Sequence, residues 1–234
     1  MQYLRGISAS GGRTVGPLCY IQHARACKTR AADAPQKESA RAVAALRQAR
    51  EELLCFEQKA PPADKDIFMV QRMMLEDRGL CEKIQQFIEN GICAAVAVER
   101  AGEGYAQQLR ALPDDYLAQR ACDVLDASSR VVDKIDGGAR EKTRLTRPSI
   151  LLSDEIYPTD LVMQKREIIL GFVSSRGSPC AHASILARDF GIPAVVQVGA
   201  ALMAYQDGQF AAMDGTSGEI YFTSDAAKAA QFIG

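Results

Sequence analysis

The stretch RGSPCAHASILARDFGIPAVV, residues 176–196, places one of the chain's two histidines between a loop of small residues and a short amphipathic segment. Gly191 and Pro193 follow that segment, as expected where a helix ends, because glycine accepts a left-handed backbone and proline cannot continue a helix. AVVQV after Pro193, residues 194–198, is then a short apolar strand. The stretch therefore predicts a loop, a helix and a buried strand in succession, with His182 at or near the first turn of the helix.

Other short apolar runs occur along the chain after residue 139. Turn-forming residues bound each of them, which is typical of buried strands. They are SILLS at 149–153, IILGFV at 168–173, FAAMD at 210–214 and EIYF at 219–222. Because strands alternate with a helix here, we predict an α/β domain over residues 139–234. The β-favouring run VGPLCYI lies within residues 1–25 and is predicted to join the same sheet.

Residues 26–138 follow a helical pattern instead. Four runs carry apolar residues at spacings of three and four, which is one face of a helix. The runs extend from Ala42 to Phe56, then over about 66–89, 94–112 and 117–135. PPAD at 61–64, ENG at 89–91, Pro113 and Gly137–Gly138 separate or end them. Four amphipathic helices with short breaks predict an antiparallel four-helix bundle, inserted within the α/β domain.

Charge and cysteine content exclude several classes of protein. The formal net charge of −1 gives no reason to expect nucleic acid or a membrane surface as partner. No apolar run approaches the roughly 18 residues needed to cross a bilayer, and the first residues lack the apolar stretch of a signal peptide. Seven cysteines without a C-x-x-C pair or a tight Cys/His cluster predict reduced thiols, a cytoplasmic protein and no metal site in this chain.

His182 has the chemistry of a nucleophile or base, because a free imidazole titrates at about pH 6.5. The N–H groups and the dipole at the start of a helix favour an anion, such as a phosphoryl group carried by the ring. Ser178–Pro179 is a second possible N-cap and first helical residue, which would start the helix earlier. Two other interpretations stay open: His182 as a surface or capping residue, and Cys180 with His182 as a thiol–imidazole pair of a hydrolase.

The glycine-rich stretch SGGRTVG, residues 10–16, contains neither a dinucleotide-binding motif nor a P-loop lysine motif. We predict that it is a turn between two strands.

GSPCAHASILARDFGIPAVV resembles the phosphohistidine signature of the phosphoenolpyruvate-utilising enzymes. Within them it is most similar to the N-terminal half of enzyme I of the bacterial phosphoenolpyruvate:sugar phosphotransferase system. GISASGGRTVGPL is similar to the family's opening strands, and IFMVQRMMLEDRGL and DDYLAQRACDV to its helical domain. The resemblance implies a swivelling α/β phosphohistidine domain, residues 1–25 plus 139–234, and a helical phosphocarrier-binding domain, residues 26–138.

The resemblance also implies a reaction and partners. His182 would take a phosphoryl group from phosphoenolpyruvate and pass it to a histidine of a small histidine-containing phosphocarrier protein. In the family, the phosphoenolpyruvate site, its Mg²⁺ ligands and the homodimer interface belong to a C-terminal domain. We therefore expect no cofactor in this chain, and Mg²⁺ and dimerisation only together with that domain.

Supporting residues follow from the same resemblance. Arg188 matches an arginine that would neutralise phosphate or brace the helix, with a structural salt bridge as the alternative. A family threonine that orients the imidazole falls at Leu161, and Thr159 lies nearby. The carrier would contact the second and fourth helices, with core packing as the alternative for the apolar positions. The candidate contacts are Met73, Met74, Leu75, Leu117 and Arg120.

The chain departs from the family pattern next to the histidine. The family shows Gly-Gly-Arg-Thr-Ser, and this chain shows Gly-Ser-Pro-Cys-Ala over residues 177–181. The acidic residues that often follow LED are replaced by Arg78 and Gly79. These changes keep a second hypothesis open, a protein-binding or regulatory module of the same fold with weak or lost phosphotransfer.

Overall fold

The computed structural model describes residues 2–21, 23, 31–59, 65–136, 145–162 and 164–232. The chain divides into two compact units: Met1–Gln22 together with Lys142–Gly234, and His23–Glu141. The domain boundaries expected at 25/26 and 138/139 fall outside the described residues, as do PPAD at 61–64 and Gly137–Gly138.

The first unit contains a mixed sheet, with eight strands in the described residues. They are β1 (Gln2–Arg5), β2 (Ile7–Ser10), β3 (Arg13–Tyr20), β4 (Ser149–Ser153), β5 (Ile169–Ser174), β6 (Ala194–Val196), β7 (Phe210–Asp214) and β8 (Glu219–Thr223). Their order is β1-β8-β7-β3-β4-β5-β6-β2. β3 to β6 are parallel neighbours and the remaining pairs are antiparallel. The predicted strands, including those near the N-terminus, are confirmed.

β1 and β2 lie at opposite ends of this strand order, although only Gly6 separates them in the chain. The Gly6 N–H donates to the carbonyl of Gly218 over 2.9 Å. A Cβ atom on Gly6 would lie 2.5 Å from the carbonyl oxygen of Val196, so no larger residue fits without a backbone shift. The short segment Gln2–Ser10 therefore forms both the first and the last strand in this order.

Three α-helices of the described residues belong to this unit: α6 (Pro158–Val162), α7 (His182–Phe190) and α8 (Ala226–Gln231). Five helices of the second unit, α1 to α5, precede them in the chain. α7 packs against α6 and β2. The sheet core consists of residues that are almost fully buried, including Leu18, Ile150, Leu152, Val173, Val195 and Met213.

The second unit is helical. Its helices are α1 (Pro35–Lys59), α2 (Lys65–Glu76), α3 (Arg78–Glu89), α4 (Ala94–Arg110) and α5 (Asp115–Ile135). α1 contacts each of the other four. The apolar faces predicted from the sequence form the core, which includes the fully buried Leu53, Phe68, Leu75, Ile88 and Val131.

The single helix predicted over 66–89 is wrong, because the chain breaks at Asp77 into α2 and α3. The described residues of this unit thus form five helices rather than the four of the predicted bundle. Asp77 has an extended ψ of 126°, and its Oδ1 accepts a hydrogen bond from the Leu80 N–H over 2.8 Å, which caps α3. Arg50 of α1 donates through Nε to the carbonyl of Leu75 over 3.1 Å near the end of α2. Both ends at the break are therefore hydrogen-bonded.

Tyr105 of α4 also contacts Asp77, at the break between α2 and α3. Its hydroxyl donates to Asp77 Oδ1 over 2.9 Å. A Cβ atom on Gly79 would lie 2.2 Å from that hydroxyl oxygen. The glycine at 79, which departs from the family pattern, thus leaves the space that Tyr105 occupies.

We expect Asp77→Ala to lower the free energy of unfolding by about 1 kcal/mol, because α3 loses its cap and Tyr105 loses its acceptor. Urea denaturation followed by far-UV circular dichroism measures the change. Tyr105→Phe in the Asp77→Ala background should then cost less than Tyr105→Phe alone. Full additivity of the two substitutions would contradict the contact.

Candidate active site

His182 is the first residue of α7, and its side chain is half-buried. The N-cap is Ala181, which makes no side-chain capping hydrogen bond. The alternative start at Ser178–Pro179 is wrong, because these residues form a turn in which the Ala181 N–H donates to the carbonyl of Ser178 over 3.0 Å. His182 therefore lies in the first turn of the helix, where the positive end of the dipole favours an anion.

The loop between β5 and α7 is held by neighbouring loops at the carboxyl ends of the parallel strands. The Ser175 and Arg176 N–H groups donate to the carbonyls of Ser153 and Asp154, over 3.1 and 2.8 Å. Gln197, just after β6, donates through Nε2 to the carbonyl of Gly177 over 2.9 Å. These hydrogen bonds fix the backbone that leads to His182, which favours precise placement of a reacting group.

Arg188 braces the same loop. Its Nη1 donates to the carbonyl of Ala9 in β2 over 2.7 Å and to the carbonyl of Pro179 over 2.9 Å. No ion pair joins Arg188 to a carboxylate of the described residues, and its two hydrogen bonds to carbonyls favour the bracing role over a structural salt bridge. Arg188 instead links the C-terminal half of α7, the loop before His182 and the sheet.

Thr159 and Leu161, the two candidates for orienting the imidazole, both lie in α6. Their exposed fractions are 3% and 1%, and α6 packs against α7, whose first residue is His182. The side chain of Asp160 accepts a hydrogen bond from the Tyr157 N–H over 2.7 Å and caps this short helix. α6 is therefore a fixed support for α7.

Asp214 at the end of β7 organises the turns near the start of β3. Its Oδ2 accepts from Arg13 Nε over 2.7 Å, and its Oδ1 accepts from the N–H groups of Thr216 and Ser217 over 2.8 and 3.2 Å. Burial desolvates this carboxylate and by itself raises its pKa. The hydrogen bonds from Arg13, Thr216 and Ser217 outweigh that effect and lower the pKa of Asp214 below its ordinary value.

We expect Asp214→Asn to destabilise the first unit by about 1 kcal/mol at neutral pH, because the charged acceptor is lost. A carboxylate whose pKa is lower in the folded state stabilises the fold above its unfolded pKa of about 4, and this contribution disappears as the pH falls through the folded pKa. The variant and the parent should thus converge in urea titrations as the pH falls well below that unfolded pKa. The exposed Asp189→Asn serves as the control, and a constant difference at all pH values would contradict the assignment.

Comparison with protein families agrees with this arrangement. The family model described as PEP-utilising enzyme, N-terminal, matches residues 5–120, and the one described as PEP-utilising enzyme, mobile domain, matches residues 145–218. The chain belongs to the phosphoenolpyruvate-utilising enzymes. The mobile-domain match contains His182, Arg188 and Thr159 together.

Individual relatives of this family extend over nearly the whole chain. A multiphosphoryl transfer protein of Xanthomonas campestris pv. campestris is 32% identical over 226 residues, which is 92% of this chain and 27% of the relative. A phosphoenolpyruvate-protein phosphotransferase of Streptomyces coelicolor is 30% identical over 225 residues, 93% of this chain and 40% of the relative. The chain thus spans well under half of the length of these two curated relatives.

A solved structure has the same fold. The solution NMR structure of an Enzyme I protein, nEIt, is 25% identical and superimposes with a TM-score of 0.66, covering 98% of this chain and 96% of that one. The predicted resemblance to the N-terminal part of enzyme I is therefore confirmed for the fold.

Some of the residues that were expected to contact a partner are exposed on the helical unit of this member of the phosphoenolpyruvate-utilising enzymes. Met73 of α2 and Leu117 of α5 are exposed at 56% and 37%, and Met74 is half-buried. Leu75 is 1% exposed and belongs to the core of the helical unit, as the alternative of core packing predicts. It is therefore not among the proposed partner contacts. The Arg120 side chain is only 12% exposed and donates to Asp123 Oδ2 over 3.2 Å. Arg120 therefore contributes to the packing of the helical unit more than to its exposed surface.

Sequence reasoning missed the ionic contacts next to the histidine loop. Arg176 Nη2 lies 2.6 Å from Asp154 Oδ2 and 3.8 Å from Glu155 Oε2. The acidic pair directly after the strand SILLS was the available signal. In DGTSG at 214–218, an aspartate ahead of a glycine-rich turn was the signal for the Asp214 contacts.

Three further findings concern the described residues alone. No group of three or more His, Cys, Asp or Glu side chains in them could hold a metal ion. No helix among them is long and apolar enough to cross a membrane. The six cysteines that the structure describes are free thiols, and Cys180 is exposed, whereas Cys27 lies outside the described residues.

Proposed function

We propose that His182 carries a phosphoryl group between phosphoenolpyruvate and a histidine of a phosphocarrier protein. The observation that carries the proposal is the position of His182, half-buried in the first turn of α7 and at the end of a braced loop. The family match and the names of the relatives support phosphoryl transfer as the chemistry. Phosphoenolpyruvate and Mg²⁺ would be bound by a separate C-terminal domain, which would also form the homodimer.

The reaction consists of two in-line displacements. The neutral imidazole attacks phosphorus through Nε2, a P–N bond forms, and the P–O bond to the enol oxygen breaks, releasing enolpyruvate that becomes pyruvate. The carrier's neutral imidazole then attacks the same phosphorus, and the bond to His182 breaks. A phosphohistidine thus divides one transfer into two steps, each of which depends on positioning and electrostatics.

The chain's own residues position the phosphoryl group. α7 begins at His182, and the N–H donors and the positive end of the helix dipole at this terminus are proposed to stabilise the phosphoryl group on its ring. Arg188 keeps the loop and the helix together through Ala9 and Pro179. Thr159, buried in α6, is proposed to hold the orientation of the imidazole through the packing of α6 on α7.

The helical domain, residues 26–138, is proposed to dock the carrier through exposed apolar side chains of α2 and α5. α2 and α5 contact each other, so Met73, Met74 and Leu117 belong to adjoining helices. Exposed methionine suits such a surface because its unbranched side chain adapts to a partner. Residues 1–25 plus 139–234 would move as the swivelling phosphohistidine domain.

The deciding experiment mixes the chain with phosphorylated histidine-carrier proteins and searches for an acid-labile, base-stable phosphoryl group. Mass spectrometry should map it to the peptide that contains His182. The same chain with phosphoenolpyruvate and Mg²⁺ alone should remain unlabelled, and labelling would contradict a separate binding domain. A folded chain that accepts no phosphoryl group from any carrier in a panel would favour the binding or regulatory module instead.

A further inference from the structure

We propose that Ile185 is a docking contact for the phosphocarrier protein beside His182, an inference that rests on the proposed function. Ile185 is 38% exposed, although the residues on either side of it, Ser184 and Leu186, are 1% exposed. It follows His182 by three residues in α7 and therefore lies one helical turn away on the same face.

The geometry of phosphoryl transfer requires a partner to cover this side chain. Reacting atoms must approach to about 3 to 3.5 Å before transfer. Side chains three residues apart in a helix have Cβ atoms about 5 to 6 Å apart. A protein whose histidine reaches the phosphoryl group on His182 is therefore placed to contact Ile185 as well.

Covering Ile185 has two physical consequences. Removing its exposed apolar surface from water favours the complex. An apolar side chain at this place also keeps water away from the phosphorus while the P–N bond breaks, which limits hydrolysis as a side reaction. The partner that fits is a phosphocarrier whose surface beside its reactive histidine is apolar.

The experiment compares Ile185→Lys and Ile185→Leu with the parent chain in transfer from a phosphorylated carrier. We expect Ile185→Lys to lower kcat/KM by about tenfold or more, because a charge replaces the buried apolar contact, and Ile185→Leu to retain it within about threefold. The difference in observed transfer rate should shrink as the carrier concentration rises towards saturation. Val43→Lys, at a 63% exposed position of α1, is the matched control and should leave transfer unchanged.

A second donor separates docking from chemistry. Phosphoramidate transfers its phosphoryl group to an imidazole with release of ammonia and needs no protein surface. Ile185→Lys should react with it at His182 like the parent chain, and its thermal unfolding should also be unchanged. Equal losses with both donors, equal losses in Val43→Lys, or normal carrier transfer in Ile185→Lys would each overturn the inference. Failure of the parent chain to accept from the carrier would instead overturn the proposed function.

Discussion

His182→Gln is expected to abolish phosphoryl transfer from a phosphorylated carrier, a loss of at least about a thousandfold. Glutamine is similar in length and can donate and accept hydrogen bonds, but its amide cannot form the covalent intermediate. His182 and His23 are the only histidines of the chain, so no second imidazole can replace the lost nucleophile within the active-site loop. The change removes the bond-forming atom and leaves the rest of the loop in place.

His23→Gln is the matched control, because it makes the same replacement at the only other histidine and should leave transfer unchanged. The measurement is the rate of acid-labile labelling, together with thermal unfolding to verify that both variants fold. Labelling that persists in His182→Gln and is lost in His23→Gln would contradict His182 as the residue that carries the phosphoryl group. Persistent labelling that Cys180→Ser removes would favour a thiol as the phosphoryl acceptor instead.

Gly215→Ala is expected to destabilise the first unit by at least about 3 kcal/mol. A Cβ atom at this position would lie 2.1 Å from the carbonyl oxygen of Ser10, a backbone atom that cannot rotate away. The Gly215 N–H also donates to the carbonyl of Gly12 over 2.7 Å, so relief of the overlap breaks a hydrogen bond between the two turns. Ser10 follows Ala9, which accepts from Arg188, and phosphoryl transfer should fall together with stability.

Gly104→Ala is a control that should increase the stability of the protein rather than decrease it. Gly104 lies inside α4, and a Cβ atom there meets nothing within 4 Å. This change should stabilise the helical unit by about 0.5 to 1 kcal/mol, because alanine favours a helix more than glycine does. Hydrogen exchange resolves the two units residue by residue. Unchanged protection in the sheet of Gly215→Ala would show that the backbone accommodates the methyl group.

The strands and α7 were predictable because their signals are local. Each strand is a short apolar run between turn residues, and Gly191 ends α7 with a left-handed φ of 64° followed by Pro193. His182 was expected at or near the first turn because it lies at the start of the amphipathic segment that Gly191 ends. The turn predicted for residues 10–16 is confirmed only at Gly11 and Gly12, which join β2 to β3, whereas residues 13–16 belong to β3.

The break at Asp77 could not be predicted from periodicity, since the groups that stabilise it come from distant helices. Arg50 and Tyr105 bind the two ends of the break, and neither is near Asp77 in sequence. The burial of Leu75 could not be predicted from periodicity either, because its position in the helical pattern is compatible with a surface residue or a core residue. Glu38 is a similar case: its carboxylate is buried and accepts the Ala94 N–H over 2.8 Å at the start of α4.

The placement of β1 and β2 at opposite ends of the strand order has a consequence for biosynthesis. Tyr3 pairs with Tyr221, roughly 220 residues further along, so the ribosome needs about 10 to 40 s to deliver the partner of the first strand. The whole helical unit leaves the ribosome during that delay and its contacts are available first. The nascent N-terminal strands must meanwhile stay unpaired, and a pause in translation after residue 141 would prolong the time in which they are open to chaperones or to misfolding.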